Sequence, residues 1–171
     1  MKIIATFVKK LYACHYDGEA INEYARLMDL WGDTAYLSRY AYENNISDVR
    51  GFVKEIRENA RYIDNLMEEI YVSNAPLSSF FKPLNNLETG IKMLSLQKGR
   101  RYRLRVYAIK IDENLFLITG GAIKLAFRMQ DHRDTQKEKD KLDSVKAYLK
   151  RNNVFDNDSF HELINENYED E

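Results

Sequence analysis

Residues 101–124 read RYRLRVYAIKIDENLFLITGGAIK, and two strand-like runs joined by Asp112-Glu113-Asn114 decide the fold. Both runs, about 101–111 and 115–124, are rich in β-branched and aromatic residues, and a link this short makes them antiparallel neighbours. Strand alternation puts Tyr102, Leu104, Val106 and Ala108 on one face and Arg101, Arg103, Arg105 and Tyr107 on the other. The first set suits a core. The second suits water or an anion. Gly120-Gly121 inside the second run marks a bulge or a close backbone approach.

Upstream, Lys98-Gly99-Arg100 turns the chain into a further strand at about 91–97, completing an antiparallel meander. Residues 72–89 are irregular, with Pro76, Pro83 and the apolar cluster Leu77, Phe80 and Phe81. Before them lies the clearest periodicity in the chain, a helix over about 48–71 that Ser47 is placed to cap. Val49, Ile56, Ile63 and Ile70 recur every seven residues, with Val53, Ala60 and Met67 between them. This seam packs on the domain's own core, or it forms a homodimer or a partner-binding helix. The core reading takes precedence, because three heptads is the low end for a coiled coil. The acids Glu55, Glu58, Glu68 and Glu69 read as its solvated face.

Two shorter helices precede it, at about 19–31 and 34–44, and Gly32-Asp33 stops the first and caps the second. Residues 2–16 read as one extended N-terminal strand ending at Asp17-Gly18. Downstream, a helix at about 136–151 opens on a Thr135/Glu138 capping box and stops at Asn152-Asn153. A short last helix at about 159–166 carries Phe160, Leu163 and Ile164. The expected fold is α+β: an N-terminal strand and helices packed on an antiparallel β-meander, with C-terminal helices. It is read as a single domain over 1–171, with 2–71, 90–151 and an acidic tail at 152–171 as its parts.

The composition agrees, with 44% hydrophobic and 31% charged residues in 171. One cysteine, Cys14, allows no internal disulfide, and the first apolar run stops at Lys9-Lys10. The expectation is a cytoplasmic protein without a membrane partner. Net charge is −1, but residues 90–128 hold nine Lys and Arg against two acids, while 152–171 hold seven acids and no Lys or Arg. A concentrated basic block points to an anionic partner. Arginines at two-residue spacing suit bidentate phosphate contacts, and Tyr107 at the end of the row suits stacking or proton transfer. The competing reading is a solvated sheet face paired with the chain's own acids. His15, His132 and His161 are scattered, no metal-ligand spacing or phosphate loop is present, and Trp31 reads as core.

The strand Tyr102-Arg103-Leu104-Arg105-Val106-Tyr107, the strand Leu117-Ile118-Thr119-Gly120-Gly121-Ala122-Ile123-Lys124 and the helix opening at Thr135-Gln136-Lys137-Glu138 resemble the RelE/HigB toxins of bacterial toxin–antitoxin pairs. The resemblance covers roughly residues 88–150. It implies a metal-independent ribonuclease, without cofactor, that cleaves messenger RNA, often on the ribosome, and is silenced by an antitoxin protein. Carried over residue by residue, Arg105 and Tyr107 match the Arg-Val-x-Tyr strand and Lys124 the lysine that follows the glycine-containing strand. Arg103 joins by parity, and His132 stands near the helix as an acid or base. Lys92, Lys98, Arg100, Arg101 and Arg128 would hold the RNA backbone. Three departures allow a protein with a built-in helical cover, or the alternative of a catalytically inactive RNA- or protein-binding module of the same fold. Lys124 is followed by Leu125, the sequence pI is about 6.3, and the helices at 19–71 are large for the family.

Overall fold

The computed structural model describes residues 1–83, 92–96, 102–125 and 131–169 and is mixed α+β. In chain order come β1 (Lys2–Ala5), β2 (Leu11–His15), α1 (Glu23–Gly32), α2 (Thr34–Glu43), α3 (Val49–Ser73), a 3-10 turn (Leu77–Ser79) and β3 (Phe81–Pro83). Then follow β4 (Lys92–Leu96), β5 (Leu104–Asp112), β6 (Leu115–Ile123), α4 (Asp131–Arg151) and α5 (Asn157–Glu169).

The strands form one six-stranded sheet in the order β1-β2-β6-β5-β4-β3. The expected meander is its β4–β6 half, where each pair is antiparallel. The N-terminal stretch is not one strand but a hairpin. Lys10 turns it with φ at 63°, and the Thr6 hydroxyl bonds the Leu11 carbonyl at 2.7 Å. Its second arm, β2, lies parallel to β6. A bulge falls beside the paired glycines: Tyr107 faces Gly120, but Ala108 faces Ile118, which leaves Thr119 as the extra residue.

Local signals set most helix ends. Asp33 accepts from the amides of Ala35 and Tyr36 at 2.8 and 3.1 Å, capping α2 as the sequence indicated. For α3 the cap is Asp48, bonded to the Gly51 amide at 2.9 Å, rather than Ser47. Asn153 ends α4 in the left-handed region with φ at 56°, and the next amide, of Val154, bonds back to the Leu149 carbonyl at 2.9 Å. The Thr135/Glu138 capping box is overturned. Helix α4 starts four residues before Thr135, so Glu138 stands in its interior and its carboxylate is used elsewhere.

Helices α1–α3 cover one face of the sheet. The α3 seam of Val53, Ile56, Ala60, Ile63, Met67 and Ile70 is buried there, beneath the same core as Leu104, Val106, Ala108 and Trp31. Each fully buried isoleucine contributes roughly 1.5–3 kcal/mol. The seam is therefore used within the chain. Helices α4 and α5 cover the other face with Leu142, Val145, Leu149, Phe160 and Leu163, packed on Ile109, Ile111 and Leu117.

This second layer corrects the expected open arginine face. Every residue of β6 is buried, as its nearly unbroken apolar run LFLITGGAI requires of a strand covered on both sides. Arg105 and Tyr107 point toward the covered side and are only half-exposed.

Candidate nucleic-acid interface

The start of β5 and the end of β6 lie side by side, because the Lys124 amide donates to the Arg103 carbonyl at 2.6 Å. Helix α3 fastens this corner. Asn59, 6% exposed, accepts from the Arg103 amide at 2.9 Å and donates to the Glu55 carbonyl at 2.8 Å. Both of its amide functions hold backbone, which explains a buried asparagine in an otherwise apolar seam. The Arg103 guanidinium lies 3.0 Å from both Glu55 carboxylate oxygens and 5.9 Å from the Phe52 ring centre. Beside it, Tyr102 stacks on Tyr62 with ring centres 4.7 Å apart, and Tyr62 stays 40% exposed. Lys124 is exposed.

The remaining residues chosen from sequence are placed differently. Arg105 folds back on its own strand and donates to the carbonyls of Tyr102 and Leu104 at 2.6 and 2.9 Å. Tyr107 packs against the α4–α5 core. His132 lies inside α4 rather than in a loop before it. Lys92 lies in β4, paired in register with Lys110 of β5. Lys98, Arg100, Arg101 and Arg128 lie outside the described residues. In sequence they directly adjoin the Arg103–Lys124 corner, from residues 97–101 and 126–130.

A second constellation was not legible in the sequence. Strand β2 pairs with β6 only as far as Ile118, so among the described residues β6 continues without a partner strand on that side. There the chain leaves parallel strands toward opposite faces, from β2 into α1 and from β6 toward α4. Such a divergence opens a crevice at the carboxyl ends of the strands. Four charged side chains and a tyrosine fill it. Glu23, 1% exposed, receives Arg26 at 2.8 and 2.7 Å and Lys141 at 3.0 Å. Lys141 also pairs with Glu138 at 3.1 Å, and the Tyr16 hydroxyl donates to the Thr119 carbonyl at 2.6 Å.

Gly120 is the reason the cluster fits. A Cβ there would sit 1.8 Å from Glu138 Oε2, so the carboxylate occupies the space a side chain would take. Gly121 is constrained on the opposite face, where a Cβ would come within 2.5 Å of the Arg105 carbonyl and 2.9 Å of Trp31. The glycine pair was the available signal, since it announced a close approach; it did not reveal that carboxylates approach.

Electrostatics in the crevice follow burial. Glu138 Oε2 is buried without a hydrogen-bond partner among the described residues. Desolvation raises the pKa of Glu138 above the usual carboxylate value, against the lowering effect of Lys141. Burial likewise pushes the Cys14 thiol up to about 12 and holds the Tyr16 phenol well above its ordinary range. Cys14 is therefore a thiol at neutral pH, not a nucleophile. The cluster balances two carboxylates with two cations and ties α1 to α4 across the sheet edge.

A third charged feature lies on the outer side of α3. Arg50, Lys54, Arg57 and Arg61 recur at helical spacing, all exposed, and line a groove of about 320 Å³ against Thr34 and Ser38 of α2. Among the described residues, no group of three or more His, Cys, Asp or Glu is arranged to hold a metal ion, and no helix is long and apolar enough to cross a membrane. No family model, curated protein or solved structure matches this chain.

Proposed function

We propose that this chain binds single-stranded RNA at the Arg103–Lys124 corner, as a RelE/HigB-like module in which binding rather than cleavage is the activity. The observation that carries the reading is the half-open Tyr62–Tyr102 stack, set beside the exposed Lys124; Arg103, held by Glu55, fixes the corner rather than offering a free charge. Aromatic faces next to cations are what a single strand needs: bases stack on rings while phosphates meet the charges. Four of the five cations proposed to hold the RNA backbone, Lys98, Arg100, Arg101 and Arg128, adjoin that corner in sequence.

Cleavage asks for more. Attack of a 2′-OH on its phosphate needs a base at the hydroxyl, cations on the developing charge and an acid at the leaving oxygen. Arg105, bonded to two backbone carbonyls, and Tyr107, packed under α4 and α5, are engaged in the fold instead. The binding reading needs neither of them. An antitoxin-like protein partner belongs to the same proposal through the family resemblance alone.

The test is a gel-shift and cleavage assay with end-labelled single-stranded RNA at 50 and 200 mM salt, ribosomes added in parallel. Those concentrations bracket the range where phosphate contacts are most salt-sensitive. Expected is a salt-sensitive complex with intact RNA, weakened by Tyr62→Ala and by Lys124→Ala. Stacking loss at one base is on the order of 1–3 kcal/mol, a readable change. Discrete fragments that vanish in Arg105→Ala, with unchanged circular dichroism, would replace this reading with the nuclease. Intact RNA and no complex would end the RNA reading altogether.

A further inference from the structure

We infer that the groove between α2 and α3 is a phosphate-backbone track that extends the Tyr62–Tyr102 corner, so that the RNA path runs along α3 from Arg61 to Arg50. The inference rests on the RNA reading above and names a part of the path the family resemblance does not include. Its residues belong to the first half of α3, outside the β5–β6 stretch that carries that resemblance.

Four observations support it. First, Arg50, Lys54, Arg57 and Arg61 follow one another by four, three and four residues and are all exposed. At about 1.5 Å per residue they lay a line of positive charge roughly 16 Å long. Second, this line lacks internal neutralisation. Arg50, Arg57 and Arg61 have no ion-pair or hydrogen-bond partner among the described residues. The groove's one lining carboxylate, Glu58, sits 4.0 Å from Lys54, with both side chains more than half exposed, a pair of little energetic weight. Glu55, the next acid along, is occupied by Arg103.

Third, the groove is a concavity rather than a bare helix face. Its far wall is α2, where Thr34 places a hydroxyl, the kind of group that supplements Arg in phosphate contacts, while the Ser38 hydroxyl already donates to the Thr34 carbonyl at 2.8 Å. Fourth, the line ends at Arg61, whose chain neighbour Tyr62 forms half of the stacking pair. Cations that lead into stacked aromatics suit a chain of alternating phosphates and bases. An acidic polypeptide would use the charges but not the rings. Three of the four cations are arginines, whose planar fork suits phosphate oxygens better than an ammonium does.

Fluorescence anisotropy with 5′-labelled oligouridylates of about 4 and about 12 nucleotides separates the corner from the track, since only the longer strand reaches both. In the double variant Arg50→Gln/Arg57→Gln, affinity for the longer strand should fall on the order of tenfold at 0.1 M salt. The slope of log affinity against log salt should flatten by roughly 1.4, two contacts at about 0.7 each. The short strand should bind as in wild type, and Arg50→Lys/Arg57→Lys should restore the slope. Both substituted positions are exposed, and superimposable thermal melts check the fold. If the longer strand binds the Gln variant with unchanged slope while Lys124→Ala still weakens it, the track is refuted and the corner stands. Wild type binding neither strand refutes both. Polyglutamate of matched charge displacing the long strand from wild type as well as unlabelled RNA does would assign the groove to acidic polypeptides and overturn the inference.

Discussion

Arg103 and Arg57 both stand at helix α3, on opposite terms. Arg103 ends on the two oxygens of Glu55 and over the Phe52 ring, part of what holds β5 to the helix. Arg57 faces the groove and solvent with no partner among the described residues. The same contrast sorts the other cations. Arg26, Arg105 and Lys141 are anchored on oxygens of the chain, whereas Arg50 and Arg61 have no such anchor among the described residues. Anchored cations act on folding, since losing one strands a half-buried oxygen. Unanchored ones cost the fold nothing to lose and remain available to a partner. A run of like charge in a sequence says little about which kind it is.

The contrast is broken most severely from inside. Gly121→Ala forces a Cβ against the Arg105 carbonyl, a backbone atom that cannot swing away, and against Trp31 and Leu27. A loss of about 3 kcal/mol or more is expected in urea unfolding. Glu23→Ala leaves Arg26 and Lys141 without their shared carboxylate. Breaking a fully buried pair costs roughly 3–5 kcal/mol, but Arg26 and Lys141 stay 23% and 31% exposed, so about 2–3 kcal/mol is expected. If Glu23→Ala unfolds at the wild-type urea midpoint, the crevice is not a tie between α1 and α4.

Charge regulation sharpens the same point. Glu138 binds its proton more tightly folded than unfolded, so between its ordinary value near 4.5 and its raised folded value the native state holds the extra proton. Stability should therefore fall as pH rises through that window. In Glu138→Gln this slope should be flattened in melts taken across the window. An unaltered slope would place the proton elsewhere.

Smaller effects belong to the surface. Arg103→Ala removes a one-third-exposed ion pair and a ring contact, and about 1 kcal/mol is expected. Arg57→Gln should stay within about 0.5 kcal/mol of wild type while it weakens binding of long RNA. Reversal of these two, with Arg57 destabilising and Arg103 neutral, would undo the division of cations.

Much of the architecture was readable beforehand because local rules governed it. The two-residue link of β5 and β6, the Asp33 cap, the Asn153 stop and the buried α3 seam each depend on residues a few positions apart. The hairpin of β1 and β2 was harder. Its turn lacks glycine and uses Lys10 at positive φ, so alternation ran straight through it.

The site was legible only as a list of cations. Alternation correctly separated Leu104 and Val106 from Arg105 and Tyr107, a fact of strand geometry. It left open what stands above Tyr107, where α4 and α5 fill the place from residues far along the chain, and it grouped Arg103 with Arg105 although Arg103 turns to Glu55 of α3. By itself the sequence determined the elements, their periodic faces and the glycine pair where something had to approach closely. Tertiary structure alone decided that Glu138 is what approaches Gly120, that Glu55 takes Arg103, and that the α3 cations are left facing solvent. The physical reason is that an ionic partner is selected by distance in space, and no periodicity along the chain encodes a contact across 48 or 118 residues.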